Sequence, residues 1–164
     1  MGFATALAIA GRMVVGWTMP LGADRRLVAS ICYAAQMIGS IAFLVADGTN
    51  IPLLLLGIVL FGLGFGNANS LPPLIAQVEF VPEDVIRVVA LIVSIAQGAY
   101  AFAPAAFGLI REFVPNGTGA NAGSAPGVFL LAALIQALAI CALLAGRRPL
   151  RGAASDARKA TSRL

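Results

Sequence analysis

The chain has 164 residues, of which 60% are hydrophobic and only 11% are charged. Soluble globular domains carry about 25% charged residues, so this composition excludes a water-soluble body and predicts a protein whose solvent is the lipid bilayer. The net charge of +4 comes from basic residues scattered at helix ends and in the tail, which excludes a basic nucleic-acid-binding face. The sequence has no His, which excludes histidine catalysis and histidine metal ligation.

Apolar stretches of membrane-spanning length follow one another along almost the whole chain. A helix of about 20 apolar residues crosses a hydrocarbon core about 30 Å thick. We therefore predict an all-α polytopic membrane protein in which residues 1–146 form a transmembrane domain, followed by a basic cytoplasmic tail, 147–164. The five predicted transmembrane helices are 3–21, 27–46, 51–71, 88–110 and 128–144.

The distribution of Lys and Arg between the connections predicts an orientation. With the segments 22–26 and 72–87 and the tail in the cytoplasm, nine basic residues lie inside and one, Arg111, lies outside. This arrangement satisfies the positive-inside rule, so we expect the amino terminus outside and the carboxyl terminus in the cytoplasm. We expect the membrane to be a bacterial plasma membrane, with the tail attracted to its anionic lipids.

Arg12 is the only charged residue inside an apolar stretch. It lies about ten residues from the predicted cytoplasmic end, which places it about 15 Å deep. Because a charge at this depth is costly, it normally faces a cavity or a partner. One hypothesis is anion binding or gating. The other is a structural pairing with helix carbonyls or with an acid outside this chain, because no acid lies within its apolar stretches.

The pattern Gly11-Arg12-x-x-x-Gly16-Trp17, followed by a short hairpin that contains Asp24-Arg25-Arg26, resembles the major facilitator superfamily. This motif is typical of the second and eighth helices of that family, and the order of the following stretches is similar to its last five helices. The resemblance implies a partial bundle, helices eight to twelve of a twelve-helix transporter, with the first half and the seventh helix missing from this chain. The Gly-Arg pair is similar to the monocarboxylate and oxalate/formate branches, in which this arginine meets a carboxylate.

The third stretch is rich in small and polar residues. Gly62 and Gly66 form a G-x-x-x-G spacing that lets two helices approach closely, and we expect them to serve helix packing. Asn67 follows on a similar face, where it contributes either to a cavity or to packing.

Polar residues form one stripe in the fourth stretch. Ser94, Gln97 and Tyr100 recur every three residues, which indicates either a wet face or hydrogen bonds to another helix. Pro104 should kink this helix. The resemblance implies that the helix lines the central cavity opposite Arg12.

Charges on the predicted cytoplasmic side suggest a latch between two connections. We hypothesise that Arg25 or Arg26 pairs with an acid at the start of the fourth stretch in one transport state. The alternative is that Asp24 approaches a base there. The partners proposed for this latch are Glu83, Asp84 and Arg87.

These features predict transport of a small solute, an organic anion such as a carboxylate, by a secondary transporter of which this chain is a carboxyl-terminal part. Arg12, Asn67, Gln97 and Tyr100 are the candidate substrate-binding residues. The alternative is a non-transporting five-helix scaffold or subunit that acts by oligomerising with partner subunits. We expect no enzymatic activity, catalytic residue, metal or cofactor, because the sequence shows no nucleophile–base pair, metal cluster or phosphate-binding loop.

Overall fold

The computed structural model describes residues 2–20, 23–46, 50–113 and 126–147, and most of them are helical. This part of the chain contains no strand, so the prediction of an all-helical protein is confirmed for it. The helices in chain order are α1 Gly2–Thr18, α2 Arg25–Val45, α3 Ile51–Ala68, α4 Leu71–Glu79, α5 Pro82–Phe113 and α6 Pro126–Ala145.

Four segments of the described chain are long and apolar enough to cross a membrane: Arg25–Val45, Ile51–Glu79, Pro82–Phe113 and Pro126–Ala145. They are compatible with an integral membrane protein. The second of them joins α3 and α4. The observed helix α1 is shorter than the predicted first span, 3–21, because it ends at Thr18 after 17 residues. At about 1.5 Å per residue α1 measures about 26 Å, a little less than a typical hydrocarbon core.

Two of the predicted connections are partly helical. The segment 72–87 contains most of α4 and the start of α5, and the segment 22–26 contains the first residues of α2. Prolines explain the first difference. Pro72 and Pro73 have no N–H to offer the carbonyls of Ala68 and Asn69, so α3 cannot continue through them. Proline is well tolerated in the first turn of a helix, so α4 begins at Leu71 directly after the interruption.

Polar side chains start two of the helices. Asp24 is the N-cap of α2 and accepts hydrogen bonds from the backbone N–H groups of Arg26 and Leu27. Asn50 caps α3 in the same way by accepting from Leu53 N–H. These side chains satisfy donors that a helix start would otherwise leave without a partner. In α5, Glu83 and Asp84 occupy the first turn, where negative charge complements the helix dipole.

The centre of the bundle is α2, which packs against α3 on one side and α6 on the other, while α1 packs against the far side of α3. Glycines permit the close contacts. A Cβ at Gly64 would lie 2.5 Å from the carbonyl oxygen of Cys32 in α2. A Cβ at Gly11 in α1 would lie 2.8 Å from the Cα of Leu63 in α3. Side chains at these positions would therefore push the helices apart.

A buried polar pair joins α2 to α6. Ser40 donates a hydrogen bond to Oε1 of Gln136 over 3.1 Å, and both side chains are buried. The sequence predicts a packing role for both residues. The hydrogen bond adds a specific register between two helices whose surroundings are otherwise apolar.

The long helix α5 differs from the rest of the bundle because none of its residues is buried. It packs mainly against α4 and touches α6. Large apolar side chains such as Ile86, Phe102 and Phe113 are more than three-quarters exposed along its length. The structure thus consists of a packed body, α1, α2, α3, α4 and α6, and an arm, α5, that is largely uncovered. The helix α4 belongs to the body because its residues Leu71 and Ile75 are buried against α2.

Candidate functional site

The interruption between α3 and α4, which we call the α3–α4 break, leaves backbone groups in need of partners. The Ser70 N–H donates to the carbonyl of Asn67 over 3.1 Å, rather than to the carbonyl of Gly66 four residues before it. The Gly66 carbonyl, one of the last in α3, therefore loses its usual helical donor.

Arg12 supplies the replacement. Its Nε donates a hydrogen bond to the Gly66 carbonyl oxygen over 3.0 Å. The Ser70 hydroxyl donates to the same oxygen over a longer distance, 3.4 Å. The guanidinium thus places positive charge at the carbonyl end of α3, where the helix dipole favours a cation. Arg12 as a whole remains exposed, on the flank of the contact between α1 and α3.

Asn67 makes the reciprocal connection. Its Nδ2 donates to the carbonyl of Gly11 in α1 over 3.1 Å and to the carbonyl of Leu63 over 3.2 Å. The residue is only 3% exposed, so its amide faces the α1–α3 contact. Adjacent residues of α1, Gly11 and Arg12, are therefore joined to adjacent residues of α3, Gly66 and Asn67.

Tyr100 reaches the break from the arm. Its hydroxyl accepts a hydrogen bond from Nδ2 of Asn69 over 3.3 Å, and its ring meets Phe65 edge-on with centroids 6.5 Å apart. Arg12 and Tyr100 thus contact the end of α3 and the residues of the break from two different helices, α1 and α5.

Pro104 adds a further backbone acceptor beside Tyr100. Because proline has no N–H, the Tyr100 carbonyl, four residues earlier, lacks its helical donor. The helix nevertheless continues through Pro104 to Phe113. The kink predicted at Pro104 stays a prediction.

The four candidate substrate-binding residues are only partly brought together. Arg12 and Asn67 meet at the α1–α3 contact, and Tyr100 joins them through Asn69. Gln97 is exposed on α5 one turn before Tyr100, and no hydrogen bond from its side chain to the rest of the described chain is observed. Of the two packing glycines, Gly66 lies against the backbone of Ala8, and Gly62 is buried.

A second polar cluster, which we call the end cluster, joins α2, α4 and α6 at one end of the bundle. Arg26 forms a two-pronged ion pair with Glu79, both contacts measuring 2.5 Å. Arg25 donates to the Leu74 carbonyl over 2.6 Å. Arg147 pairs with Asp24 over 2.7 Å.

The pairs in the end cluster differ from those in the predicted latch. Arg26 binds Glu79 instead of Glu83 or Asp84, and Asp24 binds Arg147 instead of Arg87. The physical reason is that α4 is a helix and carries Glu79 to the start of α2. Glu83, Asp84 and Arg87 lie exposed in the first turns of α5, with no ion pair in the described part of the chain.

The Asp24 carboxyl is electrostatically stabilised at its position. Burial raises its pKa, but the N–H of Leu27, the ion pair with Arg147 and the N–H of Arg26 together outweigh that effect. The result is a pKa below the usual value of 3.8, so Asp24 is ionised at neutral pH.

Three residues in these clusters were not predicted: Asn69, Glu79 and Arg147. The adjacent prolines 72 and 73 are a signal that could have predicted the break and hence the position of Asn69. The position of Glu79 near the start of α2 could be predicted once α4 is recognised as a helix. The sequence contains no local signal that pairs Arg147 with Asp24, because 123 residues separate them. The rest of the predicted tail, 148–164, lies outside the described residues.

Comparisons with known proteins provide no assignment for this arrangement. No protein-family model, no curated protein and no solved structure matches the chain.

Proposed function

We propose that this chain is the carboxyl-terminal part of a secondary transporter that moves a small organic anion across a membrane. The observation that carries the proposal is Arg12, an exposed guanidinium beside a helix break in an otherwise apolar bundle. Broken helices are the usual way in which transporters expose backbone polar groups at a binding site.

The depth of the break supports this function. Glu79 in the end cluster is the last of the nine residues of α4, so it lies about 12 to 14 Å from the break at about 1.5 Å per residue. If the end cluster lies at the cytoplasmic surface, the break lies near the middle of a core about 30 Å thick. Transporter substrates bind near that midplane.

The geometry of Arg12 also supports an anionic substrate. Its Nε is held by the Gly66 carbonyl, while Nη1 and Nη2 make no hydrogen bond to the described residues. A guanidinium anchored on one side presents a planar pair of donors that matches a carboxylate. Tyr100 would shape the pocket from the arm, and Gln97 would contribute if further helices close around α5.

Transport would proceed by rocking of this bundle against a preceding half with the same architecture, as the resemblance to the major facilitator superfamily implies. The exposed surface of α5 would then pack against those further helices. The end cluster would act as the cytoplasmic latch, and the amino terminus would lie outside the plasma membrane. An exposed ion pair is worth only about 0–1 kcal/mol, yet that suffices to bias a two-state equilibrium several-fold.

The test is uptake of formate, oxalate and lactate by proteoliposomes that contain the intact gene product. We expect Arg12→Ala to weaken the apparent affinity for the transported anion about tenfold or more, because one charge-assisted interaction of about 1.5–3 kcal/mol is lost. Arg12→Lys should be less impaired. Arg111→Ala is the matched control and should behave as wild type, because Arg111 lies in the last turn of α5 and not in the candidate site. Unchanged affinity in Arg12→Ala would remove Arg12 from the binding site.

A second candidate function is a non-transporting scaffold that completes its bundle by oligomerising. The uncovered arm favours it equally, since a membrane partner would cover α5. The mass of the native gene product, detected with an antibody against residues 147–164, separates the two candidates. A product more than twice 16.7 kDa favours the transporter, and a product near 16.7 kDa in a stable oligomer favours the scaffold.

A further inference from the structure

We propose that Arg25 binds the phosphate of an anionic phospholipid at the edge of the contact between α2 and α4. The end cluster is then also a lipid-binding site. The inference requires the bundle to lie in a bilayer, but it does not depend on transport of an anion or on which side of the membrane the end cluster faces.

The first observation is a positive charge without a carboxylate. The end cluster contains three arginines and two acids, and each acid binds one arginine, in the pairs Arg26–Glu79 and Arg147–Asp24. Arg25 forms no ion pair within the described part of the chain. Its guanidinium donates one observed hydrogen bond, from Nη1 to the Leu74 carbonyl over 2.6 Å. The excess positive charge of the end cluster therefore resides on Arg25.

The second observation is that Arg25 is half-buried, at the contact between α2 and α4. A cation withdrawn from water is usually paired with an anion, because a neutral carbonyl alone does not offset the desolvation of a full charge. A guanidinium carries several N–H donors in a planar fork, and the Leu74 carbonyl engages only Nη1. The donors that remain match the oxygens of a phosphate.

The third observation concerns the depth of this charge in a bilayer. Trp17 lies in the last turn of α1 and is 96% exposed. The same end of α1 contributes Met19 to the buried cluster around Ala29, one turn from Arg25. Membrane proteins place Trp at the level of the lipid headgroups, where the phosphates lie. An arginine close to that level can reach a lipid phosphate without leaving the contact between α2 and α4.

The surface of α4 beside Arg25 also suits a lipid. Val78 follows Leu74 by one helical turn on the same face of α4 and is 65% exposed. A lipid at Arg25 would therefore meet an uncovered apolar side chain. An anionic headgroup is favoured over a zwitterionic one, because both acids of the end cluster are already paired with arginines and so offer little attraction to a choline.

The experiment uses a Trp beside Arg25 to detect the lipids around it, in the full chain reconstituted into vesicles. Trp17→Phe removes the native Trp, and Val78→Trp introduces the reporter. The vesicles contain equal amounts of phosphatidylglycerol and phosphatidylcholine. In each of two preparations only one of these lipids is brominated near the headgroup, so the ratio of the two quenching efficiencies measures the local enrichment of the anionic lipid.

A second reporter, Phe113→Trp in the same background, is the matched control. Phe113 is 76% exposed and follows Arg111 and Glu112 at the end of α5, so it reports on lipids beside an arginine that has an acid next to it in the sequence.

We expect the reporter at position 78 to show an enrichment of phosphatidylglycerol of about fivefold, the effect of one basic residue on an anionic lipid. Arg25→Gln keeps an N–H for the Leu74 carbonyl but removes the charge, so the enrichment should fall close to one. Arg25→Lys keeps the charge and should retain most of the enrichment. The reporter at position 113 should show none.

Equal quenching by the two lipids at position 78, with Arg25 intact, would overturn the inference, and this comparison does not require any variant of Arg25 to fold. Equal enrichment at positions 78 and 113 would also contradict it, because the attraction would then be a general property of a basic chain. An enrichment that survives Arg25→Gln would assign the lipid to other residues. Loss of the enrichment on addition of excess inorganic phosphate would show that a soluble anion occupies Arg25 and would rule out the lipid.

Discussion

Arg12 and Asn67 make reciprocal hydrogen bonds across the α1–α3 contact. Arg12 donates to the carbonyl of Gly66, the residue before Asn67, and Asn67 donates to the carbonyl of Gly11, the residue before Arg12. Carbonyl pairing was one of the two interpretations that the sequence left open for Arg12, with anion binding as the other. The observed geometry accommodates both, because only Nε is engaged by the described residues. For Asn67 the geometry favours packing, since its amide is buried against Gly11 and Leu63.

The close approach of α1 and α3 at Gly11 leads to a stability prediction. In Gly11→Ala the new Cβ would meet the backbone of Leu63, which cannot rotate away, so the helices must separate. We expect the free energy of unfolding to fall by about 1–3 kcal/mol, measured by denaturant titration in detergent. Gly16→Ala in the same helix is the control, because nothing lies within 4 Å of its added Cβ. Equal stability of both variants would contradict the packing described here.

The α3–α4 break is the main feature at the scale of the helices. The apolar pattern extends through 51–71 without indicating an interruption, whereas the adjacent prolines 72 and 73 do indicate one. The predicted loop after this stretch is instead the helix α4. Because α4 is a helix, it holds Glu79 against Arg26 and sets the distance between the break and the end cluster.

The stability that the ion pair between Asp24 and Arg147 gives to the fold should depend on pH. The pKa of Asp24 in the folded chain is lower than in the unfolded chain. Its contribution to stability is therefore complete above the unfolded pKa, 3.8, and is lost as the pH falls through the lower folded value. We expect wild type to lose stability relative to Asp24→Asn as the pH is lowered from about 7 to about 3.

Thermal unfolding in detergent over this range measures the effect. Asn is also a good N-cap, so Asp24→Asn removes the charge and largely keeps the cap of α2. The difference in melting temperature between the two proteins should shrink in acid. A difference that stays constant over the whole range would show that the ion pair with Arg147 does not stabilise the fold.

For the whole molecule, the uneven burial is the most informative property. The body is packed through glycines and small residues, whereas none of the 32 residues of α5 is buried. A single bundle in lipid would leave Gln97 and Arg12 exposed to hydrocarbon at a cost of several kcal/mol. Both proposed functions remove this cost by placing further protein beside α5 and beside the exposed side of α1.

Membrane insertion can be tested with Trp17, the single Trp of the sequence. It is 96% exposed near the end of α1, where a membrane protein usually places Trp at the lipid–water interface. In reconstituted vesicles we expect blue-shifted emission that is quenched more strongly by lipids brominated near the headgroup than by lipids brominated near the chain end. Emission at the wavelength of water-exposed Trp, without quenching, would argue against insertion of α1. Trp17→Phe provides the background signal.

The sequence by itself determined that the chain is helical and apolar, where most of its helices lie, and that Arg12 is exceptional. These properties follow from local composition and from the length of the apolar stretches. The tertiary structure alone decided that Arg12 meets Gly66, that Arg26 meets Glu79 and that Arg147 meets Asp24. Helices such as α3 and α6 are apolar around their whole circumference, so no periodic pattern shows which face meets which neighbour. Partners 53 to 123 residues apart become defined only when glycine contacts and polar pairs set the register between helices.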